Sequence, residues 1–220
     1  MSLLRRLLDL LTPYVDDAAP VAESAIRQFA DGHGIVLRDD HVQCLTRFGG
    51  GKQGRLRIFR WYEGDFDFEL LKSVYLDGHP DMALPAGTSY FGSSLTGDAF
   101  CLDLNSGKIF AYDEGIKYGK VHESIDGFLF RCLVSVYAEQ AFAGKAVERG
   151  LAPESLAAFR SAHAQHRMDE ASCFMVRYDD NGSPAILAEY YFIDRQLIAL
   201  YPDSNSRVTH SGGVLGALPS

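Results

Sequence analysis

Apolar and polar positions alternate with two periods along this chain, and the changes of period mark its elements. Residues 3 to 11 repeat Leu at helical spacing and stop before Pro13, which predicts a short amphipathic helix. A second helix is expected from Pro20 to Ala30, with Val21, Ala25, Ile26 and Phe29 on one face. Asp39 suits the N-cap of a third helix that carries Val42, Leu45 and Phe48 and stops at Gly49-Gly50-Gly51. The period then shortens. Arg55 to Tyr62 reads as a strand, Glu63-Gly64-Asp65 as a turn, and Phe66 to Leu70 as a second strand with one apolar and one acidic face. Ala99 to Leu104 and Lys108 to Tyr112 read as a hairpin turned by Asn105-Ser106-Gly107. Ser124 caps a long helix to about Phe142, with Ile125, Phe128, Leu129, Cys132 and Val136 facing inward.

Beyond Gly144 the pattern starts afresh. Residues 145 to 166 read as helical, with Pro153 at a first turn, and are followed by strands at 173 to 178, 185 to 193 and 196 to 201. Asp179-Asp180-Asn181-Gly182 carries the Asn-Gly hairpin signal between the first two. Residues 203 to 220 are rich in Ser and Gly and read as a loose tail. Helices, strands, a helix, then helix and strands again predict an α+β fold with a mainly antiparallel sheet packed on helices. The expected divisions are residues 1–143, a C-terminal helix-and-hairpin extension over 144–202, and the tail over 203–220.

Composition narrows the class. The 220 residues are 47% hydrophobic and 23% charged, enough to build a core and too apolar for a disordered chain. A net charge of −8 argues against free nucleic acid as a partner. Arg5-Arg6 precede Leu7-Leu8, but Asp9 and Pro13 interrupt that run before it reaches signal-peptide length. No apolar stretch is long enough to span a membrane, so a cytoplasmic location is expected. Cys44, Cys101, Cys132 and Cys173 are widely spaced and expected to be buried thiols.

No motif supplies a catalytic constellation. Gly49 to Gly54 matches G-x-G-x-x-G, but a helix precedes it and a strand follows, the reverse of what a dinucleotide site needs. Gly92 to Asp98 imitates a phosphate loop with Asp98 where the lysine belongs. His163 and His166 are three apart, without the further ligands zinc requires. A Cys101–His122 pairing is the remaining nucleophile candidate, and Asp65, Asp67 and Glu69 are possible acid–base groups whose simpler role is a wet strand face. No cofactor or metal is expected. Arg47, Lys52, Arg55, Arg57 and Arg60 form a basic run followed by the acidic run Glu63, Asp65, Asp67 and Glu69; two adjacent strands would pair these charges. Acidic surface left over suits a basic protein partner, with Trp61 and Tyr62 as aromatic anchors beside Glu63, Asp65, Asp67 and Glu69.

Residues 20 to 140 carry a family resemblance. Ala25 to Phe29, Gly34 to Asp40 and Leu45 to Gly50 follow a helix, link, helix and Gly-Gly turn. Phe91-Gly92, Thr96 to Leu104 and Gly107 to Phe110 follow a "fG…tGD-fclDl…g-iy" run, closed by a helix holding Ser124, Phe128, Leu129 and Leu133. This combination resembles the SUKH superfamily of bacterial toxin-immunity proteins and yeast cell-wall regulators. The GAD-like immunity proteins of type VI secretion share a similar run. Arg38 replaces the usual proline, Phe48 replaces the usual asparagine, and residues 145 to 202 lie outside the pattern. The resemblance implies an α+β protein without catalytic apparatus that binds and neutralises a cognate toxin, or a regulatory module with an endogenous partner. A basic nuclease-like toxin would complement the acidic balance. Gly49, Gly50 and Gly97 are then expected to serve turns, Asp98 to bond local backbone N–H groups, and Asp103 to reach across the hairpin.

Overall fold

The local signals of the first 51 residues give the helices they predict. A computed structural model describes residues 1–51, 56–80, 82–94, 97–178 and 184–218, with the backbone alone at 176–178. Helix α1 (Leu3–Leu11) buries Leu4, Leu7, Leu8 and Leu11, and Ser2 caps its start by accepting from Arg5 N. Helix α2 (Glu23–Gly32) begins three residues later than Pro20 suggests, and α3 (Asp39–Phe48) buries Val42, Leu45 and Phe48 as expected. Between them, β1 (Ala18–Ala19) pairs with β2 (Gly50–Gly51). A Cβ on Gly50 would lie 2.7 Å from Ala19 O, so this ribbon closes on bare backbone.

The next segment departs from expectation. Arg57–Trp61 is a 3-10 helix rather than a strand, and Phe68–Asp77 is helix α4 rather than the continuation of one. Phe59 N donates to Leu56 O and Tyr62 N to Phe59 O, both at 3.1 Å, an i to i+3 pattern that a strand does not make. Asp67 accepts from Leu70 N at 2.8 Å and so opens α4. With no strand pair among the described residues here, the basic and acidic runs do not face each other across a sheet; Lys52 and Arg55 lie outside the described residues. Arg57 instead pairs with Asp16 and Asp17, Arg47 with Asp9, and Glu69 with Lys72.

Among the described residues the main sheet has nine antiparallel strands. They are β3 (Thr88–Ser93), β4 (Ala99–Asp103), β5 (Ile109–Asp113), β6 (Ile116–His122), β7 (Gly144–Glu148), β8 (Cys173–Tyr178), β9 (Pro184–Ile193), β10 (Gln196–Tyr201) and β11 (Ser206–Ser211). Their spatial order is β3-β4-β5-β6-β8-β9-β10-β11-β7. The join between the two halves is the His122–Cys173 pairing of β6 with β8. Two readings are corrected here. Residues 144–148 are an edge strand, not helix; helix α6 spans Pro153–Ala162. The supposed tail contributes β11 and a 3-10 helix over Gly213–Ala217, with Leu215 and Leu218 buried. The Asn181-Gly182 turn lies outside the described residues.

Helix α5 (Ile125–Ala141) fills the centre of this α+β fold. Its buried residues run round the whole helix and include Phe128, Phe130, Arg131, Cys132, Leu133 and Tyr137. One apolar core joins it to Leu7 and Leu11 of α1, Leu102 and Val121 of the first sheet half, and Tyr190 and Leu197 of the second. Ser124 Oγ accepts from Gly127 N at 2.9 Å and donates to Glu170 O at 3.2 Å, so one hydroxyl caps α5 and holds the segment leading into β8. Ser124→Ala is expected to cost about 1–2 kcal/mol, read as a lower urea midpoint with unchanged slope. A loss within error of zero would mean that water replaces both bonds.

Candidate functional site

The turn into α4 lines a groove. Asp65, Asp67 and Glu69 come together along a groove of about 510 Å³ whose floor includes Gly49, Gly50 and Phe66. Val21, Ala25, Leu56 and Phe59 supply further apolar wall, and Lys72 is the one cation among the described lining. Asp67 is spent on capping α4, and Glu69 pairs with Lys72 at 2.6 Å while its side chain stays 78% exposed. Three carboxylates against one ammonium make the described lining locally negative; Lys52 and Arg55, next in sequence to Gly51 and Leu56, lie outside the described residues.

The two aromatic anchors expected beside these carboxylates turn elsewhere. Tyr62 points into the core, where its ring stacks on Phe128 at 5.1 Å and its hydroxyl meets His122 Nε2. Burial raises the Tyr62 phenol well above its ordinary range and lowers His122 to about 3, with Arg131 adding to the latter. Trp61 is 47% exposed and lies over the Arg131 guanidinium, 4.2 Å from Cζ to the ring centre. Glu63 sits at a turn with φ of +50°, outside the groove lining.

That arginine marks the second cleft, about 480 Å³, lined by Trp61, Arg131, Ser135, Lys145, Tyr201 and His210, with Glu139 also on its wall. Its residues come from the 3-10 helix, α5, β7, β10 and β11. No sequence motif announced it. The available signal was a lone arginine inside the apolar face of a long helix.

The other candidates resolve individually. Cys101 faces a separate cluster with Val74 and Tyr112, and burial pushes its thiol up to about 12, while His122 is engaged by Tyr62. All four cysteines are free and buried. The His163 and His166 rings are 6.3 Å apart, and no group of three or more metal-ligating side chains occurs among the described residues. Gly97 has φ of +92°, the left-handed turn conformation expected of it. Asp98 accepts from Ser94 Oγ at 2.7 Å. Asp103 stays at its own turn instead of crossing the hairpin, accepting from Ser106 N and Oγ at 2.7 Å each. Those bonds hold its carboxyl below the usual range. Residues 52–54 and 95–96, within the two glycine-rich motifs, lie outside the described residues. No helix among the described residues is long and apolar enough to cross a membrane. Comparison with family models, curated proteins and solved structures gave no match.

Proposed function

We propose that this chain is a non-enzymatic immunity protein of the cytoplasm that binds and neutralises a basic protein toxin through the α4 groove. The observation that carries this reading is the convergence of Asp65, Asp67 and Glu69 on an open groove with apolar walls. Apolar area supplies affinity, and the carboxylates supply orientation and rapid encounter with a cationic partner. The net charge of −8 favours the same class of partner at longer range. The family resemblance of residues 20 to 140 supports the toxin as that partner.

The test is rescue of a laboratory bacterium expressing the adjacent large reading frame, followed by titration of the purified pair. Survival on co-expression and a salt-sensitive complex are expected. Glu69→Lys should weaken the complex by about tenfold, and Lys72→Glu should tighten it, at a cost or gain of about 1–2 kcal/mol. The gain matters because damaged folding does not produce it. Toxicity without rescue, or affinities indifferent to both changes, would overturn the proposal.

A further inference from the structure

Arg131 is 4% exposed and permanently charged. Nη1 donates to Tyr190 OH at 3.0 Å and Tyr201 OH at 2.9 Å. Nε is buried without a partner, and both hydrogen bonds described for the guanidinium leave from Nη1. No carboxylate among the described residues forms an ion pair with the guanidinium. Buried charges are ordinarily compensated, because two neutral hydroxyls and an aromatic face do not repay the loss of water around a cation.

The second cleft adjoins this uncompensated group. Lys145 of edge strand β7 adds a second cation to its wall, and Glu139 is the one carboxylate of its described lining. His210 is 5% exposed and also has an unpartnered buried nitrogen, Nδ1. Burial, reinforced by Lys145, lowers this imidazole to about 4, so it is neutral near pH 7. Arg131 and Lys145 against Glu139 leave a locally positive cleft on an acidic chain. Arg131 and His210, each more than nine-tenths buried, line that one space.

We infer that this cleft is an oxyanion site for a small molecule, whose phosphate or carboxylate is received by the Arg131 guanidinium with help from Lys145. Trp61, resting on the guanidinium face at the cleft mouth, offers a flat apolar surface to the rest of the ligand. The volume of about 480 Å³ suits a molecule of metabolite size. The site is separate from the α4 groove and does not depend on the proposal made for it.

Trp61 is the single tryptophan of the chain, so its indole N–H gives one isolated signal in a nitrogen–proton correlation spectrum. Titration of the full chain with phenyl phosphate and with benzoate compares the two head groups on the same ring. Sodium chloride at matched ionic strength is the control. We expect a saturable shift of that signal at about 1 mM or below for at least one compound and none for chloride. Arg131→Lys should weaken binding by about tenfold or more, since a lysine ammonium cannot hold both tyrosine hydroxyls and still reach the ligand. Lys145 lies exposed on an edge strand, so Lys145→Ala keeps the test decisive if Arg131→Lys fails to fold; a loss of about threefold or more is expected. A stronger phenyl phosphate arm identifies a phosphomonoester ligand, and a stronger benzoate arm a carboxylate. Absence of a saturable shift with either compound, or affinity unchanged by Lys145→Ala, would overturn the inference.

Discussion

Between pH of about 7.5 and about 5 this protein is expected to lose roughly 6 kcal/mol of folding stability, about 2 kcal/mol for each of three buried histidines. His41, His122 and His210 are 0%, 0% and 5% exposed. Burial lowers all three: His41 to about 4 with partial opposition from Asp40, His122 to about 3 with reinforcement from Arg131, and His210 to about 4 with reinforcement from Lys145. The unfolded chain binds these protons near the ordinary imidazole value of about 6.5, and the native chain refuses them. Stability is therefore complete above that value and falls as pH drops below it, until the native imidazoles protonate in turn. Asp103 and Glu123 are held low by their partners, so their contribution is lost at lower pH still. Urea midpoints measured across this range give the slope directly. His210→Asn should remove about a third of it, because the slope is a sum over sites. A midpoint that does not move between these pH values would show that the three imidazoles protonate freely in the folded state.

How far the sequence foretold the fold depends on whether a signal was local. The Ser124 cap and the apolar run after it define α5, and Asn105-Ser106-Gly107 turns the hairpin with Gly107 at φ of +71°. Phe66-Asp67-Phe68 shows the limit of periodicity. Two apolar residues flanking an acid fit a strand for three positions, but the same acid is an N-cap, and Asp67 acts as one. Strand β7 is exposed along four of its five residues, so no apolar alternation could have revealed it; pairing with β11 creates it. The acidic groove was half legible. Asp65, Asp67 and Glu69 do converge, but Trp61 and Tyr62 occupy a 3-10 turn and its cap, where successive side chains diverge by about 120°. One therefore reaches Arg131 and the other the core. The Arg131 cleft gathers residues 61, 131, 145, 201 and 210, and a constellation assembled over such separations has no spacing to read.

The second large effect is expected at Glu189, a carboxylate whose side chain is 3% exposed on β9. Arg160 of α6 donates from Nε to Oε2 at 2.6 Å, and Arg167 Nη1 lies 3.5 Å from Oε1. The two sides of this cluster are unequal. Arg160 and Arg167 are 35% and 43% exposed and can turn to water, whereas Glu189 cannot. Arg160→Met should then cost about 3 kcal/mol, since it leaves a buried charge with a single distant partner. On a chain of this size that is a fall in melting temperature of roughly 6–12 °C. Glu189→Met removes the buried charge itself and should cost about 1 kcal/mol or less. The double variant should be closer to Glu189→Met than to the sum of the two, because the arginine has nothing left to compensate. Calorimetry on the three proteins completes the cycle. If Arg160→Met is as mild as Glu189→Met, Arg167 or water already satisfies the carboxylate, and α6 is held to the sheet by Leu156 and Phe159 packed on Tyr191 and Leu200 instead.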